Sequence, residues 1–429
     1  MSLPPFNFFF INFFTFSLFF IILFKKNNSL GKLIFFSYGW VFGFGYFLTN
    51  LYWITISLTF DQSFSFLIPI ALVLIPAFLA LFYGLVTIIY NFIHLKSLIS
   101  NFFLFSLLFG SVEFVRGNIL TGFPWNLIIY SFSEKLNFIS FTSVIGTYSF
   151  NLLVISLFSV PGLFILRKSK KEIFVSFFFI LISILLFVYG SSYKQKFLGS
   201  EIKKNPYVIR AIGSNISLDR FFDNTPAETV LYELIKLSKP EKDKKIFFIW
   251  PEGIVPNTYM DELNLYKDLF KKNFDENHII GLGIKNRSKK NGSSEYFNSL
   301  AVFDNNLNLI NNYNKMNLVP FGEFIPFENI LHKLDLRIIT NNISSFSRGS
   351  SREIIEIKKE FYKFSFLPLI CYEIIFSGNL TRNFNYDFIL NISEDGWFGK
   401  SIGPRQHFTQ SVFRAIENEN MLLDHPIME

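Results

Sequence analysis

Over the first 190 or so residues, apolar positions come in long unbroken runs: 6–24, 33–58, 64–93, 98–115, 144–166 and 173–189. A hydrocarbon core of about 30 Å takes roughly 20 helical residues. These runs predict six membrane-spanning helices within a domain at 1–192, followed by a linker at 193–206. Past residue 207 the pattern shortens. β-branched and aromatic runs at 207–216, 245–250, 278–284, 300–303, 363–371 and 387–391 predict strands. Helical spacing of apolar residues, with charges between, predicts surface helices at 227–237 and 262–274. Alternating strands and helices indicate an α/β domain at 207–429 with a covered sheet. The Asn/Lys/Ser stretch 285–294 reads as a solvated loop.

Charge orients these helices. After the first, third and fifth runs come Lys25, Lys26 and Lys32, then Lys96, then Arg167, Lys168, Lys170 and Lys171, against only Arg116 and Lys135 on the other connections. The basic excess puts the odd-numbered loops in the cytoplasm, and the chain after the sixth span outside. The amino terminus then also lies outside, an arrangement that points to a further helix upstream. The first run does not fit a secretory signal, because it lacks a basic leader and is followed by Lys25 and Lys26. The connection after the fourth span carries Glu113, Arg116 and Gly122-Phe123-Pro124-Trp125. It reads either as an interfacial anchor or as a lip where a headgroup or substrate docks.

Composition sharpens this. The chain has 60 Phe and 17% charged residues, with a net charge of +7. Residues 1–192 hold 10 basic and 4 acidic residues, and the remainder 30 and 29, so the basic excess sits in the apolar half. That argues against a nucleic-acid footprint, which needs basic residues clustered on a soluble face. The single Cys371 excludes an intramolecular disulfide and any Cys-cluster metal site. Neither a metal nor a cofactor is expected.

Reactive groups in α/β domains gather where strands end, and three such ends are notable. The first is Trp250-Pro251-Glu252, and the second runs from Lys315 to Pro320-Phe321-Gly322-Glu323. The third is Ile370-Cys371-Tyr372-Glu373. Singly, each has a plain reading: a capping acid, a solvated lysine, a buried small hydrophobe. Together they form a chemical unit. A thiol attacks as thiolate and needs a base and a cationic neighbour; a Glu can take the proton, and a Lys can face a tetrahedral oxyanion.

The Glu–Lys–Cys set resembles the nitrilase (carbon–nitrogen hydrolase) superfamily. With Leu318-Val319-Pro320-Phe321-Gly322-Glu323, Trp397-Phe398-Gly399-Lys400, Pro4-Pro5-Phe6-Asn7, Tyr52-Trp53, Glu113 to Arg116, Gly122 to Trp125 and Ser345-Phe346-Ser347-Arg348-Gly349, the chain is similar to the apolipoprotein N-acyltransferase family over nearly its whole length. That resemblance implies a polytopic α-helical membrane domain plus an α/β nitrilase-like αββα sandwich. It implies a bacterial inner (cytoplasmic) membrane enzyme, monomeric, with its catalytic domain periplasmic. The acyl donor would be a phospholipid, typically phosphatidylethanolamine, and the acceptor the N-terminal diacylglyceryl-cysteine of an apolipoprotein.

Carried over residue by residue, Cys371 would be the nucleophile that forms a thioester, Glu252 the general base and Lys315 the oxyanion stabiliser. Glu323, Tyr372 and Glu373 would support them. Trp397, Phe346, Trp125 and Arg116 would contact substrate. The family pattern has a further helix before Pro4-Pro5 and further strands and a helix after residue 419, so the chain is expected to be short at both ends, with 421–426 outside the family pattern. Two other readings remain open at this point: a membrane-attached amidase of the nitrilase type, and an inactive truncated membrane protein.

Overall fold

The computed structural model describes residues 1–26, 31–93, 95–199, 205–290, 292–326, 345–359, 362–378, 380–381, 383–419 and 421–425. Residues 200–204 of the expected linker, and Pro426, lie outside the described residues. Contacts divide the chain into two units, Met1–Glu201 with Phe398–Glu419, and Ile202–Trp397 with Asn420–Glu429. The segment Phe398–Glu419, which lies within the expected second domain, therefore packs with the first unit.

The first unit is helical: α1 (Phe10–Lys26), α2 (Lys32–Leu51), α3 (Ile68–Ile93), α4 (Leu98–Asn118), the short α5 (Leu136–Ile139), α6 (Thr142–Leu166) and α7 (Lys170–Leu198). Five stretches, Lys32–Thr59, Gln62–Ile93, Leu98–Asn118, Thr142–Leu166 and Lys170–Lys196, are long and apolar enough to cross a membrane. The expected first span, 6–24, is corrected to a helix of 17 residues. Its start is lost because Phe6 and Asn7 donate to the Leu3 carbonyl in a tight turn, with Asn7 at a left-handed φ of 54°.

Close packing within the unit depends on small residues. A Cβ on Gly39 of α2 would lie 2.3 Å from the Tyr83 carbonyl oxygen of α3, so only glycine permits this approach. On α7, Phe174, Phe177, Ile180, Leu181, Ile184 and Leu185 point outward, a surface suited to hydrocarbon rather than water. The protein is a membrane protein by these helices.

The described residues of the second unit form two sheets. The first has the order β1 (Val208–Ala211), β2 (Ile246–Ile249), β3 (His278–Lys290), β4 (Ser293–Asp304), β5 (Leu309–Asn314). Strands β1, β2 and β3 are parallel, while β4 runs antiparallel to both β3 and β5. Helices α8 (Ala227–Ser238) and α9 (Lys267–Asn273) lie along the chain between these strands. The second sheet has the order β6 (Ile355–Lys359), β7 (Tyr362–Ile370), β8 (Phe388–Ile392), β9 (Met421–His425), with β7, β8 and β9 parallel. Helix α10 (Gly403–Glu417) belongs to the first unit.

Strand alternation explains the layering. Along β2, Ile246 and Phe248 join a core with Val230, Leu231 and Leu234 of α8, whereas Phe247 and Ile249 join a second core with Phe364, Phe366, Phe388 and Leu390 of the other sheet. Successive side chains on a strand point to opposite faces. A strand covered on both faces therefore reads as an unbroken apolar run. Burying each such side chain stabilises the fold by about 1.5–3 kcal/mol.

Several expected elements are revised. The stretch 285–294 is not a loop: its described residues extend β3 to Lys290 and begin β4 at Ser293, pairing Lys285 with Asn298 through to Lys290 with Ser293. Arg287, Ser288 and Lys289 are exposed there, so the polar composition reports solvation rather than the lack of a strand. The expected helix at 262–274 is split into a 3₁₀ segment, Met260–Tyr266, and α9, where Tyr266 departs from helical dihedrals. Residues 421–425, expected to fall outside the fold pattern, pair in register with β8 as the edge strand β9.

Candidate active site

The strands of the second unit bring the expected residues together. Glu252 lies just past the carboxyl end of β2, Lys315 directly follows β5, and Cys371 directly follows β7. Because β5 is related to β3 through two antiparallel pairings, its carboxyl end faces the same way as that of β2. Ligands in open α/β sheets bind outside such carboxyl ends.

Lys315 is buried, and its Nζ donates to Glu252 Oε1 at 3.0 Å and to Glu323 Oε1 at 3.1 Å. Asn298 on β4 donates its Nδ2 to the same two carboxylates, at 2.8 Å and 2.7 Å. The backbone N–H of Val319 donates to the other Glu323 oxygen at 2.8 Å, and the Lys315 N–H donates to the Asn298 carbonyl at 2.9 Å. Burial pushes the Lys315 ammonium towards losing its proton. Glu252, Glu323 and the Cys371 sulfur oppose this and hold it well above the ordinary lysine range. Lys315 is therefore a fixed positive charge rather than a proton carrier.

The loop carrying Glu252 lies hard against β3. A Cβ on Gly283 would sit 2.4 Å from the Glu252 Cα, and the Gly283 N–H donates to the Pro251 carbonyl at 3.1 Å. Only a glycine allows this approach.

Cys371 is 9% exposed and sits at a left-handed φ of 50°, on the turn between β7 and a 3₁₀ segment at Cys371–Ile375. Such a conformation costs a non-glycine residue about 1–3 kcal/mol and persists only where the surroundings enforce it. Here Glu373 enforces it. One carboxylate oxygen accepts the Ile370 N–H at 3.0 Å. The other accepts from Tyr313 Oη at 2.7 Å, from the Met316 and Asn317 N–H groups at 3.0 Å each, and from Arg352 at 2.6 Å. Glu373 thus ties the cysteine turn to the chain just past Lys315. Burial pushes the Cys371 thiol up; Glu252 and Asp395 push it further, while Lys315 and a hydrogen bond from Ser393 pull it down, leaving it well above the ordinary thiol range. The resting group is a protonated thiol.

A third segment, past the carboxyl end of β8, reaches Glu252. The backbone N–H of Glu394 donates to Glu252 Oε2 at 3.1 Å. The Glu394 side chain is buried in an ion pair with Arg220. Burial pushes its carboxyl up, Arg220 opposes that, and the balance lies at about 7.

The remaining expected residues divide into two groups. Phe346 is half-buried, and its N–H donates to the Glu323 carbonyl at 2.8 Å; nearby, the Gly349 N–H donates to the Lys315 carbonyl at 2.9 Å. Trp397 is half-buried and stacks on Phe221, with centroids 6.0 Å apart, and Tyr372 packs edge-on against Phe376.

Arg116 and Trp125 lie in the helical unit, and neither forms an exposed lip or anchor. Arg116 is buried against Glu113 of α4, whose carboxylate also accepts from Tyr83 Oη at 2.6 Å. Trp125 is buried, stacked on His407 of α10, with its Nε1 donating to Gln406 Oε1 at 2.9 Å.

Sequence reasoning missed Asn298, Arg352, Arg220 and Glu394. Asn298 had a signal, a polar residue directly after Phe297 in the run leading into the apolar part of β4. Glu394 had one too, an acid directly past a fully buried strand. The two arginines stood out in no way from their neighbours.

Comparison with known proteins matches both halves of the chain to known families. Residues 1–160 match the apolipoprotein N-acyltransferase N-terminal domain, and residues 257–420 match the carbon-nitrogen hydrolase family. The chain is 30% identical to an apolipoprotein N-acyltransferase of Rhizobium etli, over 97% of this chain and 80% of that one. It is 31% identical to that of Rhizobium leguminosarum bv. trifolii, with the same coverage. Among solved structures, an amidase from Nesterenkonia sp. AN1 is similar at 10% identity with a TM-score of 0.31, covering 51% of this chain and 77% of that one. Nit3 of Saccharomyces cerevisiae is similar at 15% identity with the same TM-score, covering 51% and 74%.

Proposed function

Because the chain belongs to the apolipoprotein N-acyltransferase family, we propose that it moves an acyl chain from a phospholipid to an apolipoprotein amine through a thioester on Cys371. Phosphatidylethanolamine is the expected donor. The N-terminal diacylglyceryl-cysteine is the acceptor. The observation that carries this reading is the convergence of a buried thiol on a strained turn, a carboxylate and a permanently charged ammonium, with Glu252 and Lys315 3.0 Å apart.

The chemistry closes on these groups. Glu252 accepts the thiol proton as the Cys371 sulfur attacks the ester carbonyl, and Lys315 faces the oxygen that becomes negative. Collapse of the tetrahedral adduct expels the glyceryl oxygen, which takes the proton from Glu252 and leaves as a lysophospholipid. The acceptor amine then attacks the thioester, its proton passes to Glu252, and the sulfur departs and recovers that proton. Both substrates carry acyl chains that hold them to a bilayer at about 0.8 kcal/mol per buried CH₂, which is the physical reason for a membrane-spanning half. The basic loops after the odd-numbered spans support a reading in which the second unit lies on the periplasmic side of the inner membrane.

The test is incubation of the full chain with phosphatidylethanolamine vesicles, followed by intact-mass analysis. The expected result is an acyl adduct on Cys371 with release of one lysophospholipid, and transfer of that acyl group when a diacylglyceryl-cysteine peptide is added. Release of free fatty acid without transfer would instead favour a hydrolase. An adduct that survives Cys371→Ala would overturn the mechanism.

A further inference from the structure

We propose that Arg220 and Glu394 form a positioning pair that aims one oxygen of Glu252, the proton-accepting one, at the cysteine; the assignment rests on the acyl-transfer reading above. The two oxygens of Glu252 are held differently. Oε1 is taken by Lys315 and Asn298, at 3.0 Å and 2.8 Å. Oε2 accepts the Glu394 backbone N–H at 3.1 Å, which leaves it lone-pair capacity to receive a proton. The position of that N–H decides where Oε2 points.

The Glu394 backbone is in turn fixed by its own side chain. Oε1 accepts the Gly396 N–H at 3.2 Å, and Oε2 is paired with Arg220 Nη2. The guanidinium is itself immobile: Nε donates to the Ile254 carbonyl at 3.1 Å, and Nη1 to the Ile216 and Ser217 carbonyls at 2.9 Å and 3.0 Å. Ile254 lies in the same loop as Glu252. One buried arginine therefore grips the loop that carries the carboxylate and, through Glu394, the donor that orients it. Arg220 is 2% exposed and Glu394 3% exposed, so solvent does not compete for these bonds.

A buried ion pair is weak evidence of stabilisation in itself. Its geometric output is the orientation of Glu252. The charged groups facing Glu394 are Arg220, from the segment Leu218–Phe221, and Glu252, from the loop past β2. With its carboxyl pushed up to about 7, Glu394 changes charge near neutral pH. Protonation weakens the grip of Arg220 and frees the N–H donor to move.

The test uses the full chain in detergent or nanodiscs and three variants: Glu394→Gln, Arg220→Lys and Arg220→Met. Two readouts are followed from pH 5.5 to 9, acylation of Cys371 by phosphatidylethanolamine and alkylation of Cys371 by iodoacetamide. Cys371 is the sole cysteine, so alkylation reports on it alone. The expected result for Glu394→Gln is a 10- to 100-fold loss in kcat for acylation with KM for the phospholipid within twofold, and loss of the rate change centred near pH 7. Alkylation at pH 8 slows at least fivefold. Arg220→Lys recovers part of both rates and Arg220→Met none. Wild-type rates in Glu394→Gln, or a change confined to KM, would overturn the assignment. If the wild-type protein is alkylated but takes no acyl group from the phospholipid, the acyl-transfer reading fails, and the pair is still judged by the alkylation profiles.

Discussion

Lys315 Nζ lies 3.0 Å from Glu252 Oε1, and both side chains are withdrawn from solvent. This contact makes the carboxylate and the ammonium interdependent. Glu323 shares the same cation, so two carboxylates depend on one ammonium. Removing a single member of a buried ionic set leaves uncompensated charge, at a cost of about 3–5 kcal/mol.

Lys315→Met is therefore expected to lower thermal stability by about 3–5 kcal/mol and to slow acylation of Cys371 by about 10²–10³-fold, the usual effect of losing one oxyanion donor. Pairing it with Glu323→Gln should restore part of the stability and none of the rate. Thermal unfolding and single-turnover mass analysis check the two effects separately. Recovery of the rate in the double variant would contradict the assigned role of Lys315.

Glu373 holds the cysteine turn through five accepted hydrogen bonds. Glu373→Ala should cost about 3–5 kcal/mol, because it removes the carboxylate paired with Arg352 and the acceptor of three backbone donors. Replacing Arg352 by Met in the same chain should cost less than the sum of the two single changes, a coupling of about 1–3 kcal/mol in a double-mutant cycle. Strict additivity would mean that the two side chains do not act as a unit.

Gly283→Ala introduces a methyl group where the Glu252 Cα already lies 2.4 Å from the Cβ position. Overpacking of this kind costs about 1–3 kcal/mol. The added consequence is displacement of the base, so acylation should fall by more than tenfold even at temperatures where the variant remains folded. Retention of full activity by the folded variant would show that the loop can retreat without harm.

Glu394 gives a pH signature in stability. Its carboxyl lies at about 7 in the folded chain against 4.5 when unperturbed, so the folded state holds the proton more tightly than the unfolded one. The contribution is fully present below about pH 4.5 and is lost as pH rises through about 7, amounting to about 3 kcal/mol. Thermal melts of the wild-type protein should show this loss between pH 5 and 8, and Glu394→Gln should remove that component. A pH dependence identical in both proteins would refute it.

Alkylation of Cys371 by iodoacetamide should be slow at pH 7 and still rising at pH 9, because burial and Glu252 hold the thiol above its ordinary range. Lys315→Met removes the cation that favours the thiolate and should slow the reaction further. A plateau below pH 8 would indicate a resting thiolate instead.

Much of this architecture was legible before the structure. The long apolar runs correspond to five helical stretches long and apolar enough to cross a membrane and a shorter sixth, because composition alone decides whether a helix suits hydrocarbon. Glu252 and Cys371 were readable because a reactive side chain at the edge of an apolar run is conspicuous, and Lys315 because a Pro-Phe-Gly-Glu turn follows it closely. Strand β5 was missed since Asn311 and Asn312 sit in it against their usual preference, held by pairing with β4. Strand β6 was missed although Ile355, Glu356, Ile357 and Lys358 alternate inward and outward as a half-buried strand should. The partners Asn298, Arg352 and Arg220 are distant in sequence from the groups they hold, and no local pattern announces a contact that only the folded chain creates.

The turn bearing Cys371 takes its shape from Glu373 and from main-chain donors rather than from the sulfur itself. The scaffold and its reagent are thus separable. Exchange of the thiol for a methyl or hydroxyl group should leave an intact but inert cradle, able to hold donor lipid or acceptor peptide without consuming it. Such a protein is a natural bait: complexes too short-lived to isolate during turnover could be captured on it, and the lipids and peptides that co-purify would identify what the enzyme recognises in a cell.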